Sequence, residues 1–370
     1  MEAVELRRLS MPLVAPFVTA FGAQDRRDVL LLRSLDEDGG WGWGECVAPA
    51  EPGYTAEFTQ VAALVLREHL VPRVLGADLR PEADLHQALG AFRGYPMAIA
   101  AIEMSLLDLD LRRAGISLAE HLGATVDRVP AGVAVGFQPS IETLLEVVTG
   151  YVDAGYRRVK LKIGPGWDLE PVAAVRDRFG TGLSLQVDAN GAYQLSDADH
   201  LAELDAFGLL AVEQPLAVDA LAEHIRLSSR LMTPICLDES IRSAREAAGA
   251  LDLGACRIVS IKAGRLGGLL EARNVHDVVV ARGAGAWCGG MLETGVGRAA
   301  SLAVAALPGC NLPGDLSASD RYYALDVTPP FLLEEGCLAV PDGPGLGVDV
   351  DEDVLAELTT SVELVRADRS

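Results

Sequence analysis

The sequence predicts an α/β protein built around a parallel β/α barrel, and three observations carry that expectation. From residue 130 onward eight short apolar runs recur about 25 residues apart, stretches of helical periodicity separate them, and the polar residues that end the runs keep the same step. Strand-like and helix-like stretches alternating at one period, with a count near eight, favour a sheet closed on itself over a stacked solenoid.

In chain order the expected strands are GVAVGF (132–137), RVKLKI (158–163), LSLQVD (183–188), LLAVEQ (209–214), PICLDE (234–239), RIVSIK (257–262), GAWCGG (285–290) and CNLPGD (310–315). Every run except the last is followed by a helical pattern, clearest in SIETLLEVVTGYVDAG and GGLLEARNVHDVVVARG. The 370 residues, half of them hydrophobic, allow two domains or one large α/β domain with a substantial core. A formal charge of −22 argues against nucleic acid and anionic membranes as partners. The N-terminal MEAVELRRLSMPLVAPF lacks the basic region and long apolar core of a signal peptide, and no run of 18 apolar residues follows, so a cytoplasmic location is expected. Cys46, Cys236, Cys256, Cys288, Cys310 and Cys337 are scattered without a CxxC pair, which suits reduced thiols used in packing.

The polar ends fall on a ruler. Lys162 to Asp188 is 26 residues, Asp188 to Glu213 is 25, Glu213 to Asp238 is 25 and Asp238 to Lys262 is 24. Each step is one strand–helix unit, so all five belong at the carboxyl ends of consecutive strands, where barrel enzymes place their chemistry. Side chains alternate along a strand, which sends Lys160 and Lys162 inward and Leu161 and Ile163 toward the helices. Lys162 and Lys262, four units apart, should face each other, with Asp188, Glu213 and Asp238 along the arc between them. Three converging carboxylates repel one another unless a cation joins them, and oxygen-only donors select Mg²⁺ or Mn²⁺ rather than zinc. The lysines are informative in another way, because Lys160, Lys162 and Lys262 are the only lysines among 31 basic residues. Arginine stays protonated, whereas an ammonium can release its proton, so positions that remained lysine are candidate proton carriers. A cation flanked by two such groups suits removal of the proton α to a carboxylate, the cation stabilising the resulting enediolate. Lys160 and the cation would both lower the pKa of Lys162. Read singly, each carboxylate could instead cap the helix after its strand. A Schiff-base aldolase using one desolvated lysine, or a non-catalytic binding protein, are the alternatives from other classes.

KLK on one strand, VDAN (187–190), EQP (213–215), DES (238–240) and IKAGRLGG (261–268) resemble the muconate lactonizing subgroup of the enolase superfamily, where a lysine base working with Mg²⁺ is an established pattern. GYRRVKLKIGPGWD, CLDES, WCGGMLETGVGRA and LPGDLSASDRYY, together with MPLVAPFVTAFG and GWGECV, are similar to the branch containing o-succinylbenzoate synthase and N-acylamino acid racemase. The resemblance implies a modified (β/α)7β TIM-type barrel over residues 126–320. It also implies an α+β capping domain formed by residues 1–125 and a returning C-terminal segment, 321–370. It makes Asp188, Glu213 and Asp238 the Mg²⁺ ligands, Lys162 and Lys262 the acid/base pair, and Lys160 the partner that tunes Lys162. Asn190 and Glu239 lie behind the metal ligands, and Arg265 matches an arginine of the racemizing members that modulates the second lysine. Phe17, Thr19, Phe21 and Tyr54 fall in two cap loops and Met291 and Leu292 at a strand end, all implied substrate contacts. Two departures stand out. Ala134 replaces a serine common among relatives, and Asp315 is followed by Ser317 where dipeptide epimerases carry Asp-x-Asp to hold an ammonium group. The second departure argues against a free amino group on the substrate. The implied activity is dehydration of 2-succinyl-6-hydroxy-2,4-cyclohexadiene-1-carboxylate, with racemization of N-succinyl or other N-acylamino acids on the same residues. A dedicated racemase or another muconate-cycloisomerase-like enzyme are the alternatives. A small carboxylate substrate and a homo-oligomer, dimer or octamer, complete the expectation.

Overall fold

The computed structural model describes residues 1–19, 22–77 and 79–367. Three antiparallel strands open the chain: β1 (Ala3–Thr19), β2 (Gly22–Leu35) and β3 (Trp41–Cys46). Alternation gives this sheet two apolar faces. Val4, Leu6, Leu30 and Leu32 pack into a core shared with the N-terminal helices, while Leu9, Met11, Val29 and Leu31 join the main core. The helix Pro96–Ala114 starts with proline at its first turn and ends at Gly115 in the left-handed region, φ 69°. It lies close against β3, where Gly42 and Gly44 leave room: an added Cβ would overlap the carbonyl oxygens of Ser105 and Ala101.

After the short strand β4 (Arg128–Pro130) come the parallel strands β5 (Gly132–Val135), β6 (Arg158–Lys162), β7 (Ser184–Asp188) and β8 (Val212–Glu213). β9 (Ile235–Leu237), β10 (Ile258–Ile261) and β11 (Gly285–Cys288) complete a seven-stranded sheet whose spatial order follows the chain. Seven of the eight apolar runs are therefore strands. The eighth, 310–315, is not. On the β5 side it makes a single parallel bridge just before that strand, Ala131 to Gly314, and the Gly132 amide donates to the Gly314 carbonyl oxygen at 2.8 Å. On its other side the Asp315 amide donates to the Cys288 carbonyl oxygen at 3.2 Å. Pro313 has no amide hydrogen and Gly314 no side chain to pack, so this run closes the ring without forming a ladder.

The helices between strands follow their sequence signals. Ile141–Asp153 begins after Ser140, whose side chain accepts from the Thr143 amide, and it buries Leu144 and Val148. Leu269–Ala281 buries Ala272, Val275 and Val279 at helical spacing. The C-terminal segment does two things. β12 (Cys337–Ala339) pairs with β4, and β13 (Thr359–Arg366) runs antiparallel to β1 from Ala3↔Arg366 to Leu9↔Thr359, completing the order β13-β1-β2-β3. Among the described residues no helix is long and apolar enough to cross a membrane.

Candidate active site

The strand register brings the polar ends together. Lys162 pairs with Asp188, and Asp188 with Glu213, at the last positions of β6, β7 and β8. Asp238 and Lys262 stand one residue past the ends of β9 and β10. Leu161 and Ile163 point the other way, into the main core. Two residues next to these ends have left-handed backbones, Asn190 at φ 45° and Gln214 at φ 37°. Each holds its loop by side-chain bonds. Asn190 accepts from the Lys162 ammonium at 2.6 Å and donates to Glu239 Oε1 at 2.8 Å. Gln214 Oε1 accepts from the amides of Asp238 and Ser240, at 3.1 and 3.2 Å, which sets the DES turn.

Each lysine sits among carboxylates. Lys162 donates to Asp188 Oδ2 at 2.6 Å, and the same oxygen lies 3.2 Å from the Lys160 ammonium. Lys160 also donates to Glu213 at 3.0 Å and is paired with Asp315. Lys262 donates to Asp238 Oδ2 at 2.7 Å and lies 5.0 Å from the centre of the Tyr54 ring. Burial alone would lower both Lys160 and Lys262. Asp315, Glu213 and Asp188 hold the first well above the usual lysine value, and Asp238 does the same for the second. Burial would raise Asp188, but Lys162 and Lys160 overcome it and hold its carboxyl well below the usual range. Glu213 goes the opposite way: burial, reinforced by the Asp188 carboxylate, raises it to about 8. Glu239, buried behind Asp238 and Asp188, rises to about 7.

Two members of this network, Arg158 and Gln186, are absent from the sequence candidates, and a third, Asp315, enters there only through its bearing on the substrate's amino group. Arg158 donates to Gln186 at 2.6 Å, Gln186 donates to Glu213 at 2.6 Å, and Arg158 also pairs with Asp315. The two-residue alternation that places Lys160, Lys162 and Asp188 inward points Arg158 and Gln186 inward as well, so the signal for these two was present in the sequence. Asp315 ends the irregular eighth run, and ring closure brings it to Lys160 and Arg158.

Between barrel and cap lies a cavity of about 270 Å³. Lys160, Lys162, Lys262, Asn190 and Ala134 line it from the barrel strands, Phe17 and Tyr54 from the cap, and Met291 and Leu292 from the segment after β11. Asp188, Glu213, Asp238, Glu239 and Arg265 are buried behind that wall. Arg265 donates to the carbonyl oxygens of Asp238, Ile241 and Ser260 and reaches Asp238 Oδ1 at 3.2 Å, so it shares that carboxylate with Lys262. Thr19 ends β1 opposite Gly22, and Phe21 lies outside the described residues.

The donor chemistry fits a hard divalent cation. Asp188, Glu213 and Asp238 are buried oxygen donors at the ends of three adjacent strands, the donor type that a hard divalent cation takes. Glu239 Oε2 beside them is buried without a hydrogen-bond partner. Among the described residues no three acidic, histidine or cysteine side chains stand gathered around one point; the ammonium groups hold the acids instead.

Comparison with known proteins agrees with this architecture. Residues 143–354 match the family described as enolase C-terminal domain-like, and residues 3–123 match the mandelate racemase / muconate lactonizing enzyme N-terminal domain. An N-succinylamino acid racemase from Amycolatopsis sp is 55% identical over 98% of each chain. An o-succinylbenzoate synthase from Geobacillus kaustophilus is 46% identical, covering 98% of this chain and 97% of its own. A crystal structure of an enolase-superfamily member from Listeria innocua Clip11262 superposes with a TM-score of 0.94 at 40% identity, covering 99% of this chain and 98% of its own. Proteins with these two domains are in general dependent on divalent metal ions. The chain belongs to the mandelate racemase / muconate lactonizing enzyme family of the enolase superfamily, with relatives that are named o-succinylbenzoate synthase and N-succinylamino acid racemase.

Proposed function

We propose that this protein is a divalent-metal-dependent enzyme that removes the proton α to a substrate carboxylate, an o-succinylbenzoate synthase that also racemizes N-succinylamino acids. One observation carries the reading: Lys162 and Lys262, at the ends of strands four apart, line one cavity, with three buried carboxylates on the strands between them. The names of the full-length relatives support both activities. Asp188, Glu213 and Asp238 would hold the ion, Mg²⁺ or Mn²⁺, which when bound supplies the positive charge that makes the α-proton acidic. Lys162 takes that proton and returns it to the departing hydroxyl, so the C–O bond breaks and water leaves. Lys262, held protonated by Asp238, stays beside the enediolate as a fixed cation. In racemization the two lysines serve opposite faces of the α-carbon. Lys160 is the permanent cation beside Lys162, and Arg265 modulates Lys262 through their shared Asp238. Asp315 has its carboxylate occupied by Lys160 and Arg158, which supports a substrate without a free ammonium group.

Within this proposal the cap comprises residues 1–125 and 321–370, and the barrel residues 126–320. The protein works in the cytoplasm, in keeping with six free cysteines, and as a homo-oligomer. Incubation with Mg²⁺ in D₂O tests the chemistry. Dehydration of the cyclohexadiene carboxylate and deuterium entering the α-position of N-succinylamino acids are both expected. Dehydration alone restricts the protein to the synthase reaction, and absence of both overturns the proposal.

A further inference from the structure

The cavity has a second concentration of positive charge that proton transfer leaves without a task. Arg27 on β2 lines it from the cap side and is only 3% exposed. Its Nη2 donates to the Val47 carbonyl oxygen at 2.6 Å, and its Nε is buried with no hydrogen-bond partner. Among the described residues no carboxylate forms an ion pair with it. Three buried acids of the cap are engaged elsewhere: Asp36 pairs with Arg113, Glu45 accepts from the amides of Thr294 and Gly297, and Glu57 accepts from those of Met97 and Ala98. Arg26 beside it also lines the cavity, with Nε on the Ser10 hydroxyl at 2.8 Å. A chain of charge −22 has acids to spare, yet this guanidinium is buried without one. Removing an unpaired cation from water is costly unless an anion arrives to compensate it. A guanidinium is also the side chain whose fork of N–H donors matches a carboxylate.

We propose that Arg27 receives the second, distal carboxylate of the substrate, so that the cavity selects dicarboxylates whose second acid ends a flexible acyl arm over acyl compounds with one charge. This rests on the α-proton reading, which puts the first carboxylate among the barrel residues. A substrate spanning barrel and cap then joins the two charge clusters through one molecule.

The test compares N-succinyl-L-valine with N-pentanoyl-L-valine, whose arm is of similar length but uncharged. Binding to the Mg²⁺-loaded full-length protein is measured by calorimetry, alongside α-deuterium exchange. The wild type should bind the succinyl compound at least about 30-fold more tightly, the scale of losing one partner of a buried, hydrogen-bonded charge pair. Arg27→Gln should bring the succinyl compound to the pentanoyl level and leave the pentanoyl compound within about threefold, with Arg27→Lys in between. Equal wild-type affinities, or an equal loss for both compounds in Arg27→Gln, overturns the proposal. Should Arg27→Gln fail to fold, the wild-type comparison and Arg27→Lys decide by the same criteria. Tight, arm-selective binding without α-exchange would leave Arg27 its role and remove the α-proton reading instead.

Discussion

Exchanging Glu45 for glutamine removes a buried titration from the joint between cap and barrel, and the structure sets its size. Glu45 on β3 accepts from the Thr294 amide at 3.1 Å, the Thr294 hydroxyl at 2.6 Å and the Gly297 amide at 2.9 Å. These groups open the helix Gly295–Ala305, just after the Met291 and Leu292 that line the cavity. Burial outweighs the bonds and, with the Glu293 carboxylate adding to it, raises Glu45 from 4.5 to about 7. A carboxyl with a raised folded-state pKa binds more protons when folded. Its contribution to stability is therefore full below pH 4.5 and is lost as the pH climbs to about 7. At ~1.4 kcal/mol for each pH unit, that interval is worth ~3 kcal/mol. Glutamine does not titrate and keeps one acceptor oxygen. The stability difference between wild type and Glu45→Gln should thus move by ~3 kcal/mol in favour of glutamine between pH 4.5 and pH 8. Glu57, raised to about 7 chiefly by burial, drifts in both proteins and cancels. Urea unfolding of both proteins at the two pH values, in chelator to remove metal linkage, reads the difference directly. A gap constant to within about 1 kcal/mol would refute the argument.

Three other outcomes are expected. Lys162→Arg keeps the charge but has no proton to give up at neutral pH, so α-deuterium exchange should fall by at least about 10³-fold; exchange at the wild-type rate would remove Lys162 as the base. Asp238→Asn deletes a charged oxygen donor and should weaken Mg²⁺ binding by about tenfold or more in calorimetry, and unchanged affinity would count against the three-carboxylate site. Gly44→Ala drives a Cβ into the Ala101 carbonyl oxygen and should cost ~2 kcal/mol or more, visible as a lowered melting temperature, whereas a neutral result would mean that β3 and the helix Pro96–Ala114 can part without penalty.

Much of the site was legible because its signals are local and periodic. A two-residue alternation placed Lys160 and Lys162 on the face opposite Leu161 and Ile163, and a step near 25 residues put Lys162, Asp188, Glu213, Asp238 and Lys262 at successive strand ends. Other features were not legible, because spacing sets which strand end a residue occupies but not which side chains bond to one another across the ring or between two domains. Lys160 was expected as the neighbour of Lys162, and the structure surrounds it with Asp188, Glu213 and Asp315. The last of these comes from a segment that was expected as a strand and is a single bridge.

The sequence by itself determined seven of the barrel strands, the helices between them and the five polar residues at strand ends, since backbone alternation and one repeated unit length are properties of the chain alone. Only the tertiary structure decided how the ring closes at Gly314, which carboxylates surround each ammonium, and that the cap leaves Arg27 buried in the cavity wall without an acid. Those outcomes depend on groups brought together from distant parts of the chain, and it is burial at that meeting that turns a neighbour into a charge partner or withholds one.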